Sequence, residues 1–302
     1  MRYTLYIFTL VALLGCGEAH KAKTTEQSPA PVAEPAPVAE LTPEEQYLEW
    51  VEHYWDGFDF EDSEALKTLN REVLVYAISE YVSIIPVQSA DSLMRTLIRR
   101  ASTSHDMLDY FATVCEIVLH NPNSPLRNDE YYIPVLEELV ASPLLDEYER
   151  IAPAYDLEIA LKNRIGREAT NFVYTLEDNS EGELYDISAN YTIVMFSNPE
   201  CPLCREIMGQ IASSQLLSAL IQNGVLKVLT LYPDADIEHW RKYLDNIPNE
   251  WIKAYDKGQV LTSERLYNLN AIPALYLLDR QKRVLIKDGT SVAEIEELLM
   301  RI

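Results

Sequence analysis

The sequence is short of cysteine. Among 302 residues only Cys16, Cys115, Cys201 and Cys204 carry a thiol. So few do not make a disulfide framework, and a chain long enough for two ordinary cores does not need one. Each cysteine is therefore read alone. Basic residues are scarce too: 25 Lys and Arg stand against 48 Asp and Glu, a formal net charge of −23. Such a chain repels phosphate backbones, which removes nucleic acid from the expected partners. The charge reads as a solvated acidic surface rather than a binding face. Metal-ligand spacing is lacking. His53, His105 and His120 form no HExxH pattern, and the nearest histidine after Cys201 and Cys204 is His239. Four zinc ligands are not assembled this way, so no metal is expected. Long hydrophobic runs are lacking as well. Tyr3 to Leu14 is an apolar run of twelve residues, too short to span a bilayer comfortably.

That run follows Arg2 and ends in Leu13-Leu14-Gly15-Cys16. A basic start, an apolar centre and a terminal cysteine make an export signal. The end resembles a bacterial lipobox, in which the cysteine becomes the first mature residue and carries acyl chains. Leu14 stands where Ala or Ser is more usual. An ordinary signal peptide with an incidental cysteine is the competing reading, and the absence of an A-x-A cleavage pattern disfavours it. Residues 17–42 hold no apolar periodicity and repeat PAPVAE at 29–34 and 35–40. A Pro-rich segment of this kind tends to polyproline II, about 3.1 Å per residue, and serves as a tether. Cys16 is thus the expected lipidation site, holding a globular body to a membrane of the bacterial cell envelope. Gly17 is not an Asp-type retention signal for the inner membrane, which points to the outer membrane, facing the periplasm.

Composition changes at Thr42-Pro43-Glu44-Glu45, where a cap residue, a proline at the first helical position and a Glu three after the cap open a helix. Apolar residues follow at helical spacing, and further helical runs follow Asn70, Ser89 and Ser104. Another helix is expected from about Glu130 to Ala141, and a last one from Leu145 to Leu161. Residues 43–163 therefore read as an all-α module. Cys115 falls on the apolar side of its helix and reads as a buried small hydrophobe. The task of this module is not written in its sequence.

From Arg167 the pattern switches to short extended pieces around a turn at Asn179–Gly182. A buried strand follows at Tyr191 to Phe196, then Cys201-Pro202-Leu203-Cys204 and an amphipathic helix to about Gln222. Further strands are expected at Val225 to Tyr232, Ala274 to Leu278 and Arg283 to Lys287. A helical stretch at Ile237 to Leu244 and a linker with Trp251 lie between them. A closing helix starts at Ser291, with Glu294 completing a capping box. Residues 167–302 read as an α/β sandwich. The expected organisation is a signal peptide at 1–16, a tether at 17–42, the all-α helical module at 43–163 and the α/β domain at 167–302.

Pro202 at the first helical position makes Cys201 the cap residue. Its sulfur then lies by unpaired backbone amides and the positive end of the helix dipole, which favours thiolate. Cys204 lies one turn on, on the same face. A nucleophilic sulfur backed by a second one that displaces its adduct is what thiol–disulfide exchange requires.

With strand, ECPLC and helix in place, residues 167–302 resemble the thioredoxin-like fold, in particular the membrane-tethered TlpA/ResA-like thiol–disulfide reductases. ATNFVYTLEDNSEGELYDI resembles the lead-in of that family, and LYNLNAIPALYLLDRQKRV its segment ending in Ile-Pro before a strand. The resemblance implies that Ile272-Pro273 is cis and that Pro273 lies beside Cys201 and Cys204. It implies a redox-active cysteine pair with no cofactor, exported disulfide-bearing proteins as substrates, and an electron donor that this chain does not itself supply. The whole chain also resembles envelope lipoproteins that pair an uncharacterised helical domain with a TlpA-like one.

Three positions depart from that pattern. Glu200 replaces a common Trp before the first cysteine, and its carboxylate opposes the thiolate. Met195 stands where thioredoxin carries a buried acid, which leaves Glu200 as a candidate for proton transfer or pKa tuning, with a plain solvated surface carboxylate as an equal alternative. Ala274 replaces a common Thr after the proline. A structural disulfide closing so small a loop gains little, and a peroxiredoxin motif is absent. The remaining alternative is a lipid-anchored binding module in which the redox domain is accessory.

Overall fold

The polypeptide past the Pro-rich segment opens with helices whose starts follow local chemistry. The computed structural model describes residues 42–62, 64, 66 and 70–301. The export signal, Cys16 and the PAPVAE repeat lie outside the described residues. Helix α1 spans Pro43–Glu52, α2 Arg71–Ile84, α3 Ala90–Ala101, α4 His105–Leu119 and α5 Asp129–Ala141. Asn70 caps α2 by accepting the Glu72 amide at 2.9 Å, and Asn128 caps α5 by accepting the Glu130 amide at 2.9 Å. Ser104 caps α4 by accepting the Met107 amide at 3.2 Å. Ser89 precedes α3 without making a side-chain cap; a short 3₁₀ turn at Val87–Ser89 leads in instead. Substituting Ser104→Ala leaves one orphan amide at the start of α4, and thermal unfolding is expected to register a loss of about 1 kcal/mol.

The last expected helix is shorter in the fold. Helix α6 spans Ile151–Ala160 rather than starting at Leu145. Asp146 is the physical reason: its carboxylate accepts the amides of Tyr148 and Glu149 at 2.8 and 2.9 Å, closing a local turn before the helix can begin. The six helices share a core of Trp55, Tyr81, Leu108, Phe111, Cys115 and Leu136, among others. Cys115 is fully buried, and burial pushes its thiol up to about 12, consistent with a packing role.

The second half builds one seven-stranded sheet. Its strands are β1 Val173–Leu176, β2 Glu181–Glu183, β3 Tyr191–Phe196, β4 Leu226–Tyr232, β5 Ile252–Tyr255, β6 Ala274–Leu278 and β7 Val284–Gly289. Their order is β2-β1-β5-β4-β3-β6-β7. β3, β4 and β5 run parallel, while β6 pairs antiparallel with β3, with Met195 opposite Leu275. Alternation along β3 splits its side chains between the two faces. Ile193 and Met195 join a core with the helices α7 Pro202–Ser213, α8 Gln215–Gln222, α9 Ile237–Arg241 and α11 Val292–Arg301. Val194 and Phe196 join the opposite core with Phe172, Tyr174 and Tyr267. That second core also takes in Leu261 of the short helix α10 Val260–Ser263. This is the thioredoxin-like sandwich, preceded by the all-α module.

Two expectations are corrected. The helix after Pro202 is broken at Ser214, whose hydroxyl accepts the Leu217 amide at 3.0 Å and starts α8. The segment after Trp251, read as a linker, is strand β5. Its four residues are too few to announce a period, and its pairing with β4 and β1 is a tertiary event. The β1–β2 hairpin requires Gly182, because a Cβ there would sit 2.7 Å from the Tyr174 ring it faces.

From Pro43 onward the chain packs as one compact unit. The helical module is joined to the sheet edge by Lys287 of β7. Its ammonium donates to the carbonyls of Ala160 and Lys162 at 2.8 and 2.7 Å and pairs with Asp129 at 2.6 Å. Arg127 pairs with Asp288 beside it. Among the described residues no single helix is long and apolar enough to cross a membrane.

Candidate functional site: a cysteine pair at a helix start

Strand β3 delivers the chain to the site. Ser197 prolongs its pairing by donating to the Leu231 carbonyl at 3.0 Å. Asn198 then shapes the loop. Its carbonyl accepts the Cys201 amide at 3.1 Å, and its side chain accepts the Glu200 amide at 2.9 Å and donates to Asp234 at 2.7 Å. Arg205 closes the loop from the helix by donating to the Pro199 carbonyl at 3.1 Å. Pro202 opens α7, where a missing amide costs nothing.

Cys201 is the residue that caps α7. Its sulfur accepts the Cys204 amide at 3.2 Å, and its thiol donates to the Ile272 carbonyl at 3.5 Å. Ile272-Pro273 is cis, so that carbonyl belongs to the turn leading into β6. Cys201 is partly exposed while Cys204 is fully buried; both thiols are free. Cys204 belongs to the apolar core that also takes in Met195, Ile207 and Trp240. Burial pushes its thiol up to about 12, and the bond to Cys201 pushes the same way.

Glu200 stands next to this pair but faces water: its side chain is 78% exposed, and its carboxylate lies 3.6 Å from Nε2 of His239 on α9. The structure thus brings Cys201, Cys204, Glu200 and Ile272-Pro273 to one place. Cys16 lies outside the described residues. Asn198 was missed in sequence although its signal was local: an Asn two residues before an exposed amide makes an Asx turn. Asp234 and His239 arrive from the far end of β4, and only the parallel β3–β4 pairing brings them here. Among the described residues no group of His, Cys, Asp or Glu is placed to hold a metal ion.

The arrangement places an accessible sulfur at a helix start, with a second sulfur behind it. That geometry suits transfer of a disulfide between partners.

Residues 17–163 match a family described as Domain of unknown function (DUF5106). No curated protein matches the chain. The crystal structure of a thioredoxin-like protein from Bacteroides caccae is 39% identical, with a TM-score of 0.82 over 86% of this chain and 94% of that one. The C-terminal domain of an uncharacterized protein from Bacteroides fragilis is also 39% identical, with a TM-score of 0.45, covering 46% of this chain and 98% of that one. A domain of a possible thiol-disulfide isomerase from Cytophaga hutchinsonii is 21% identical, with a TM-score of 0.39, covering 47% of this chain and 94% of that one.

Proposed function

This chain belongs to the thioredoxin-like family, and from that premise we propose that it is a thiol–disulfide oxidoreductase of the TlpA/ResA-like kind, anchored in the cell envelope through Cys16. Its substrates are exported proteins with disulfides. One observation carries the reading: Cys201 caps α7 with its sulfur partly exposed, while Cys204 lies buried directly behind it, its amide 3.2 Å from that sulfur.

The steps balance as follows. The Cys201 thiolate attacks one sulfur of a substrate disulfide; that bond breaks, and the other substrate sulfur leaves and takes a proton from solvent. Cys204 then loses its proton and attacks the Cys201 sulfur. The mixed disulfide breaks, the second substrate thiolate leaves, and two electrons have passed from the cysteine pair to the substrate. A dithiol electron donor outside this chain restores the pair by the reverse steps. The Ile272 carbonyl lies where an extended substrate backbone can donate to it. The tether and the lipid at Cys16 hold the site in the periplasm, on the outer membrane.

Trapping tests this directly. Cys204→Ser is expected to accumulate mixed disulfides at Cys201, recovered from the envelope and read by mass spectrometry. Absence of adducts, together with no dithiol turnover by the wild type, would reject the enzyme and favour a lipid-anchored binding module.

The resolving step carries its own pH signature. A thiol pushed up to about 12 keeps its proton at neutral pH. Its thiolate is scarce there, and the fraction grows about tenfold for each pH unit gained. Decay of a preformed mixed disulfide at Cys201 is therefore expected to accelerate about tenfold per unit between pH 6 and 9. Stopped-flow single turnovers measure it. A flat profile would mean that a group inside the fold takes the proton.

A further inference from the structure

A small cavity of about 230 Å³ opens beside the cysteine pair, and its walls come from both halves of the chain. One wall is Tyr155 and Ile159 of α6; the other includes Asp234, Arg265, Asn270 and Ile272. Ile272 also accepts the Cys201 thiol, so the cavity shares one wall residue with the cysteine site, although neither cysteine lines it. Asp234 is tied to the cysteine loop through Asn198. At this size the cavity falls below the roughly 300–1,000 Å³ of small-molecule pockets. It suits single side chains of a polypeptide.

The helical module does more than border this space. The Arg265 guanidinium lies 4.5 Å above the Tyr155 ring and pairs with Glu158 at 2.6 Å. Lys162 donates to the carbonyls of Glu264 and Arg265 at 3.2 and 3.0 Å, and Asn163 to that of Leu266 at 2.7 Å. The end of α6 therefore holds the 264–266 loop that shapes the groove. On α6, Tyr155 is 39% exposed at the cavity wall, and Ile151, one turn earlier, is 62% exposed. Leu203, between the two cysteines, is exposed as well.

Charge completes the picture. Glu200, Asp234 and Asp236 are exposed around the cysteine loop. Against them, Arg265 is engaged with Glu158 and Arg241 with Glu238, and Arg205, a further cation at the loop, donates to the Pro199 carbonyl. The rim is thus acidic and the α6 wall apolar.

We infer that α6 of the helical module is the substrate-selecting wall of the redox site, and that the groove receives the peptide segment flanking the substrate cysteine. An apolar side chain of that segment packs on Tyr155 and Ile159, and a basic one faces Asp234. This gives the helical module its task, and it rests on the redox reading above.

The test uses the full chain and three probes. The first is a peptide with Leu and Lys beside a cysteine held in a mixed disulfide with an aromatic thiol. The second is hydroxyethyl disulfide, too small to reach α6. The third is the same peptide with serine for cysteine. Tyr155→Ala removes the apolar wall. Asp234→Asn removes the charge yet still accepts from Asn198. Each is expected to lower the ratio of peptide to hydroxyethyl disulfide rates by about fivefold or more. The serine peptide is expected to shift backbone amide resonances within 151–159 and 262–272. Ratios unchanged in both variants, or shifts confined to other segments, would overturn the inference while leaving the redox reading intact. If the wild type exchanges neither disulfide, the redox reading falls, and the serine peptide alone decides whether the groove binds this class of segment.

Discussion

Cys201→Ser is expected to remove thiol–disulfide exchange almost completely, by about a thousandfold or more, because a serine hydroxyl neither attacks a disulfide nor holds a mixed one. The fold is expected to tolerate the change. Serine is a strong helix cap, so its oxygen takes over the Cys204 amide, and the hydroxyl still reaches toward the Ile272 carbonyl. Thermal stability should therefore stay within about 1 kcal/mol of wild type. Paired with Cys204→Ser, this variant assigns the two sulfurs: loss of Cys201 prevents all adducts, loss of Cys204 preserves them. Reduction of a protein disulfide, followed by release of free thiol, is the measurement. A Cys201→Ser protein retaining a tenth of wild-type turnover would mean that the attacking sulfur lies elsewhere.

The second large effect is on stability. Asp129 and Lys287 are only 11% and 7% exposed at their side chains, and the pair joins α5 to β7. Asp129→Ala leaves the Lys287 ammonium buried with only the carbonyls of Ala160 and Lys162. Breaking one side of a buried ion pair costs about 3–5 kcal/mol. Because this pair lies at the seam, the loss should also uncouple the two halves. Urea unfolding followed by tryptophan fluorescence reads both, since Trp55 reports on the helices and Trp240 and Trp251 on the sheet. The expected result is one transition in the wild type and two in Asp129→Ala. A midpoint change worth less than about 1 kcal/mol would mean that the pair contributes no more than a surface salt bridge.

How much of this was legible in the residues differs from element to element. The strand at Tyr191–Phe196, the proline-led helix after Cys201 and the caps at Asn70 and Ser104 could be read because their causes are local. A continuous apolar run needs a buried strand, a proline fits a first helical turn, and a side-chain oxygen takes a nearby amide. Strand β5 was not legible, since four residues become a strand only by pairing with β4. The break at Ser214 was local but hidden, because α7 and α8 are apolar on both sides of it. At the site, Cys201 and Cys204 announced themselves by spacing. The position of the Ile272-Pro273 turn against them was expected only through resemblance.

The sequence by itself determined which sulfur caps the helix, which one lies behind it, and that no acid stands at position 195. Those are facts of spacing and residue type within one turn of chain. Only the tertiary structure decided what surrounds them. The parallel pairing of β3 with β4 brings Asp234 and His239 to the cysteine loop, and the seam around Lys287 sets α6 beside Ile272. Contacts between segments a hundred residues apart follow from how two cores pack, and no local pattern in either segment encodes them.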